Sequence, residues 1–308
     1  MPALKNFINL LTQELEPLYG AREARSVALR LIEDVCKLSK YACITNPDTE
    51  IEERYFPVLE AAAEDLKRGR PLQYVTGVQE FFGREFKVRE GVLIPRPETE
   101  ELVLMVKNYV QGMAPAGQTQ GSGKGLRILD AACGSGCIGI SLACELPGSE
   151  VYMCDISEPA LQVTGENINS LCGQKEGNDS AVIAPEVFYG NLLGSASEQN
   201  KINAGSLNIL VSNPPYIRQS ERELMHKNVL DYEPEGALFV PDENPLLFYK
   251  ALAEWGLYLL KPGGRLFLEI NEALGSETAK ILSDNGYTEI SVNRDLNDRE
   301  RMVAALRP

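Results

Sequence analysis

Asn213-Pro214-Pro215-Tyr216 is the run whose residue types point most directly to chemistry. The two prolines fix φ and remove two backbone N–H donors. What remains is a rigid line of acceptors, the Asn213 side-chain oxygen and the Pro214 carbonyl, with Tyr216 adding a flat face. Such a site suits a planar NH₂ group, with both hydrogens accepted and the plane stacked on the ring. The bland alternative is a proline turn leaving a strand.

A second cluster is Asp130-Ala131-Ala132-Cys133-Gly134-Ser135-Gly136, followed about nineteen residues later by Asp155. Glycines let a backbone approach a ligand closely, and an acid at the end of the next strand can accept hydrogen bonds from both ribose hydroxyls. The pattern is not G-x-G-x-x-G, so it lacks the spacing that presents a helix N-terminus to a pyrophosphate. A nucleoside-type ligand without phosphates fits better than a dinucleotide. The bland alternative is a tight strand-to-helix turn with a capping aspartate.

Composition removes several other chemistries. The chain holds one histidine, His226, and seven cysteines with no Cys-x-x-Cys pair. A Cys/His zinc site is therefore nearly excluded, and a Ser-His-Asp or Cys-His pair would have to use His226. Cys133 and Cys137 read as packing residues, and Trp255 as core. The charge sum, 30 − 44 = −14, opposes a large nucleic-acid footprint and favours a basic protein partner. No apolar run is long enough for a membrane span, and Met1 to Asn6 lack the apolar core of a signal peptide. A cytoplasmic protein with reduced thiols is expected.

The elements that must position these clusters follow from periodicity. Leu4, Phe7, Ile8, Leu11, Leu15 and Leu18 repeat at the helical period until Gly20. Ala24, Val27, Ala28, Leu31 and Val35 form a second stripe, and Val58, Leu59, Ala62, Ala63 and Leu66 a third. Residues 1 to about 72 thus read as a helical bundle. Gln79 to Val88 reads as a hairpin around Gly83, and 112–125 as a flexible glycine-rich loop. From Leu126 strands alternate with helices, and both clusters fall at strand ends. A terminal hairpin, Tyr287 to Val292 with Met302 to Leu306, closes the pattern. This predicts an α/β fold with a mostly parallel, doubly wound sheet and helices on both faces. Its ligands belong beyond the carboxyl ends of the strands.

Together, Asn213–Tyr216 and Asp130–Gly136 resemble the class I S-adenosylmethionine-dependent methyltransferases that act on amide or amino nitrogen. Gly91-Val92-Leu93-Ile94-Pro95-Arg96-Pro97-Glu98-Thr99-Glu100 narrows the likeness. It resembles the signature of the protein-(glutamine-N5) methyltransferases that modify peptide chain release factors, the HemK/PrmC family. Tyr232-Glu233-Pro234, Gly263-Gly264, Glu269-Ile270 and Asp295-Leu296 with Asp298-Arg299 match as well, so the likeness spans the chain.

The resemblance implies a Rossmann-like methyltransferase domain over 96–308, a substrate-docking helical domain over 1–72 and a β-hairpin linker over 73–95. It implies S-adenosyl-L-methionine as cofactor, with S-adenosyl-L-homocysteine as product. Ala132, Cys133, Gly134, Ser135 and Gly136 would hold the methionine end. Asp155 would hold the ribose, Asn191 and Leu192 would flank the adenine, and Asn213 would also contact the cofactor. Asn213, Pro214, Pro215 and Tyr216 would bind the substrate glutamine, with Asn213, Pro214 and Tyr216 in the catalytic roles. The implied partner is a class 1 release factor, modified on the glutamine of its Gly-Gly-Gln motif. Three alternatives stay open: adenine-N6 methylation of nucleic acid, glutamine methylation of a ribosomal protein, and a cofactor-binding scaffold. Two positions depart from the family pattern. Ala132 stands where the loop usually has a glycine, and Asn271 stands where glycine usually follows Glu-Ile.

Overall fold

The computed structural model describes residues 3–39, 41, 45–113, 123, 125–173, 182–198 and 201–308. Most of the 112–125 loop lies outside the described residues. Contacts divide the chain into two units, 1–78 with 225–232, and 79–224 with 233–308.

The first unit is helical. Helix α1 (Leu4–Cys36) is bent at Gly20, whose φ of 74° and ψ of 158° interrupt the helix at the place the hydrophobic pattern stops. Helix α2 (Phe56–Lys67) and the short α3 (Leu72–Thr76) complete the first segment. Leu4, Ile8, Leu11 and Leu15 pack with Ala24, Ala28 and Leu31, and with Leu59, Ala62 and Leu66. Leu18 and Val58, placed on the inward stripes by periodicity, are exposed. Helix α7 (Lys227–Tyr232) belongs to this unit, and His226 at its start is exposed.

The second unit opens with the hairpin of β1 (Val78–Phe81) and β2 (Arg84–Lys87). Phe82 and Gly83 both have positive φ, as a two-residue turn between twisted strands requires. Phe81 and Phe86 are buried in this unit's core. Helix α4 (Thr99–Met113) leads to the sheet. Its strands are β3 (Arg127–Ala131), β4 (Glu150–Asp155), β5 (Glu186–Tyr189), β6 (Leu207–Ser212), β9 (Leu260–Glu269), β10 (Thr288–Arg294) and β11 (Glu300–Leu306). Between them run α5 (Cys137–Glu145), α6 (Glu158–Leu171), α9 (Leu247–Leu259) and α10 (Gly275–Asp284). The segment between β6 and α9 also holds the short pair β7 (Ile217–Arg218) and β8 (Phe239–Val240) and helix α8 (Glu235–Leu238).

Among the described residues the strand order is β10-β11-β9-β6-β3-β4-β5. Strands β9, β6, β3, β4 and β5 are mutually parallel; β11 runs antiparallel to β9, and β10 antiparallel to β11. Side chains alternate between two separate cores. Ile128, Ile209, Val211 and Phe267 join one with α4 and α5, while Leu129, Leu210, Leu266 and Leu268 join the other with α9. The sheet therefore carries helices on both faces, as the α/β reading expects. The order of strand addition reverses at β3: its sequence successors β4 and β5 lie on one side and β6 on the other. The loops leaving β3 and β6 meet at that switch point, where open α/β sheets form their ligand crevice.

Candidate active site

Strands β3 and β6 end side by side. Ala131 pairs with Ser212, and the Ser212 hydroxyl donates to the Ala131 carbonyl at 2.6 Å. That contact sets the glycine loop beside Asn213. The loop then turns sharply: Gly134 and Gly136 have φ of 56° and 80°, and a Cβ on Gly136 would lie 2.9 Å from Thr164 Cγ2. Ala132 occupies the same left-handed region at φ 59° despite its side chain. Thr164 donates its hydroxyl to the Gly134 carbonyl at 2.9 Å, and Asn167 Nδ2 donates to the Ser135 carbonyl at 2.9 Å. Helix α6 thus holds the loop from behind.

Beyond the strand ends lies a cavity of about 380 Å³. Its wall includes Ala132, Gly134, Asp155, Asn191, Leu192, Asn213 and Pro215. Seven of the residues singled out from sequence are therefore brought together. Cys133, Ser135, Gly136, Pro214 and Tyr216 are not on that wall. Cys133 turns its Sγ to Thr164 Oγ1 at 3.7 Å, and burial raises its thiol pKa. Ser135 is 1% exposed. Tyr216 buries its hydroxyl, which donates to Glu269 Oε1 at 3.0 Å. Among the described residues no group of three His, Cys, Asp or Glu is placed to hold a metal ion.

The wall is apolar apart from a few polar groups. Val92, Leu93, Ile156 and Phe248 supply hydrophobic surface, and among the described residues no Lys, Arg or His lines the cavity. An apolar pocket with sparse polar groups and no cation suits a neutral or cationic nucleoside-like ligand and disfavours phosphates. The Asp155 carboxylate is its acidic group. Asp155 accepts from Gly134 N at 2.9 Å and from Ser157 N at 2.8 Å. Burial pushes its pKa up, and those backbone donors pull it back. Asp130 behind it is fully buried and pushed up to about 8. Its Oδ2 accepts from Gly139 N at 2.8 Å, and its Oδ1 has no partner among the described residues.

Two further segments line the cavity, and a buried carboxylate joins them. Glu233 accepts from Ile94 N at 3.1 Å and from the Arg96 guanidinium at 2.6 Å. The Gly91–Pro97 stretch is thereby tied to the Pro234–Ala237 stretch, and both contribute to the wall.

Comparison with known proteins follows the same outline. The family model described as Methyltransferase small domain matches residues 118–255, and the PrmC N-terminal domain matches 7–77. A release factor glutamine methyltransferase from Bacteroides thetaiotaomicron is 36% identical over 298 residues, which is 96% of this chain and 98% of that protein. The chain belongs to the release factor glutamine methyltransferase family. A second member, from Flavobacterium psychrophilum, is 34% identical and covers 97% of this chain and 98% of its own. A solved release factor-specific protein-(glutamine-N5) methyltransferase from Alicyclobacillus acidocaldarius aligns with 72% of this chain and 99% of its own, at 26% identity and a TM-score of 0.40.

In this family member, sequence reasoning overlooked the groups behind Asn213 and Tyr216. Thr99, at the start of α4, receives the Asn213 Nδ2 donor at 3.2 Å and donates to Glu269 Oε2 at 2.7 Å. Glu269 is 1% exposed. One signal could have found it: Leu266-Phe267-Leu268-Glu269-Ile270 places a carboxylate inside an apolar strand, and a buried charge needs partners. Asn271, the other departure from the family pattern, is built in. Its Nδ2 donates to the Tyr216 carbonyl at 3.2 Å and to Glu221 at 3.1 Å, and its Oδ1 accepts from Ala273 N at 2.9 Å.

Proposed function

We propose that this chain transfers the methyl group of S-adenosylmethionine to the side-chain amide nitrogen, N5, of the glutamine in the Gly-Gly-Gln motif of class 1 peptide chain release factors. The observation that carries this reading is the shared cavity. Asn213 and Pro215, on either side of Pro214, line the same space as the Asp155 carboxylate. Family membership supports the substrate, since curated relatives covering nearly the whole chain carry that description.

The residues present fit the cofactor. Asp155 offers acceptors for a ribose diol, and the backbone of Ala132 and Gly134 lines the space for the methionine end. Asn191 and Leu192, on the same wall, would flank the adenine. Cys133, Ser135 and Gly136 act through the loop's shape. S-adenosylmethionine supplies an electrophilic methyl on a sulfonium, and a wall without cations does not repel that charge.

A glutamine amide nitrogen is a weak nucleophile because its lone pair is delocalised into the carbonyl. Asn213 Oδ1 and the Pro214 carbonyl accept its two N–H bonds, which aims the nitrogen and stabilises positive charge developing on it. Pro215 keeps that edge free of backbone donors, and Tyr216 sets the end of the turn. In-line placement contributes on the order of 7–11 kcal/mol by removing the entropy of encounter. No strong base is needed. On this reading residues 1–72 dock the release factor, 73–95 connect, and 96–308 carry the transfer. The release factor is the macromolecular partner, and the net charge of −14 disfavours a nucleic-acid footprint. The free thiols suit the cytoplasm. No helix among the described residues is long and apolar enough to cross a membrane.

The test is methyl transfer to purified release factor, read by peptide mass. One added methyl on the Gly-Gly-Gln peptide supports the reading. Transfer to DNA or a ribosomal protein, with none to release factor, replaces the substrate. Cofactor binding without any transfer replaces the enzyme with a scaffold.

A further inference from the structure

An asparagine carboxamide has two ends alike in shape and opposite in hydrogen-bonding sense. The glutamine site just described works only if Asn213 presents its oxygen. Asn213 alone does not select that orientation, so the choice must come from its neighbours.

Behind it stands a short chain of hydrogen bonds with one permitted direction. Glu269, at the end of β9, has its two oxygens 2.7 Å from Thr99 Oγ1 and 3.0 Å from the Tyr216 hydroxyl. A carboxylate accepts and cannot donate, while each hydroxyl has a single hydrogen. Thr99 therefore gives its hydrogen to Glu269 and has only lone pairs left for Asn213. The Asn213 atom 3.2 Å from Thr99 Oγ1 must then be the donor Nδ2. Asn213 Oδ1 is left without a protein donor among the described residues, on a side chain that lines the cavity.

The geometry points to Thr99 and Glu269 as positioning residues, a one-way relay that locks the Asn213 carboxamide with its oxygen available to the substrate amide. This inference rests on the proposed glutamine site. The same carboxylate anchors Tyr216, so both ends of the Asn213–Tyr216 turn are referenced to one buried group. A neutral carboxamide at 269 would fill the same space without enforcing a direction, because it both donates and accepts. Burial raises the Glu269 pKa, and the two hydroxyls together with the Arg301 guanidinium pull it back towards the charged form.

The experiment uses the full-length protein with Thr99→Val, Thr99→Ser and Glu269→Gln. Steady-state kinetics on release factor separate kcat from KM for S-adenosylmethionine. Side-chain amide resonances of Asn213, in protein labelled with ¹⁵N-asparagine, report exchange of its Nδ2 hydrogens with water. Thr99→Val and Glu269→Gln are expected to lower kcat by about ten- to a hundredfold while KM for the cofactor changes by less than about twofold. Thr99→Ser, which keeps the hydroxyl, is expected to retain kcat within about threefold and the wild-type exchange rate. Exchange should be faster in Thr99→Val. Unchanged kcat or unchanged Asn213 exchange in Thr99→Val overturns the relay, as does failure of Thr99→Ser to rescue. If Thr99→Val does not fold, Glu269→Gln carries both readouts. If the wild type does not methylate release factor, the functional reading fails, and the Asn213 resonances still decide the relay because they require no turnover.

Discussion

Asn213 donates its side-chain amide to Thr99 Oγ1 at 3.2 Å, across 114 residues of sequence. That bond joins the turn after β6 to the first residue of α4. A residue assigned to the substrate amide is thus held by one outside its own motif, and the motif cannot be understood from its four residues alone.

Asn213→Ala should abolish turnover far more than cofactor binding. Losing an acceptor for developing positive charge is worth about a hundred- to a thousandfold in kcat. The dissociation constant for S-adenosylmethionine should change by less than about threefold. Isothermal titration and single-turnover methyl transfer measure the two separately, and equal losses would count against the assigned role.

Ala132→Gly should stabilise the protein. A residue with a Cβ at φ 59° bears about 1–2 kcal/mol of left-handed strain, and glycine returns about 0.5–1 kcal/mol of that as lost chain entropy. The net gain is about 0–1.5 kcal/mol by urea unfolding. A less stable variant would show that the methyl group packs better than its backbone suggests.

Arg96→Ala should cost about 2–3 kcal/mol, because it strips a buried carboxylate of its cation. The Glu233 side chain is 1% exposed and would keep only the Ile94 N–H, whereas Arg96 is 33% exposed, which tempers the loss. Adding Glu233→Gln should recover part of it, since an amide tolerates burial better. A double mutant less stable than Arg96→Ala would contradict the pairing.

Stability should fall with rising pH through Asp130. Its carboxyl titrates at about 8 in the folded protein against 3.8 in an unconstrained chain, chiefly because burial disfavours the charge. Below the lower value both states are neutral and the contribution is complete. Between the two values the unfolded chain ionises while the native protein stays protonated, so unfolding gains. Asp130→Asn should remove that slope. Melting temperatures of both proteins from about pH 5 to 8.5 test this, and parallel curves would reject it.

What sequence could tell depended on how local each feature is. The bend of α1 at Gly20, the turn after β6 and the acid ending β4 are each written in a few adjacent residues. The stripes of the helical unit were legible because burial repeats at the helical period, although Leu18 and Val58 escape it at the margins. Thr99 and Glu269 were not legible as partners. Glu269 stands out as a carboxylate in an apolar strand, but nothing local names Thr99 as its partner, 170 residues away. For Arg96 a carboxylate partner could be expected, but not that it is Glu233, 137 residues away. The short elements between β6 and α9 carry too few residues for periodicity to register.

The edge at Asn213 has a chemical consequence of its own. Pro214 and Pro215 have no N–H, and Asn213 turns its Nδ2 towards Thr99 and away from its Oδ1 edge. A glutamate there would set oxygen lone pairs against oxygen lone pairs, with no hydrogen between them. On the proposed function, a release factor whose glutamine has hydrolysed to the acid would be invisible to this enzyme. The methyl mark would then certify that the amide had survived chemical ageing.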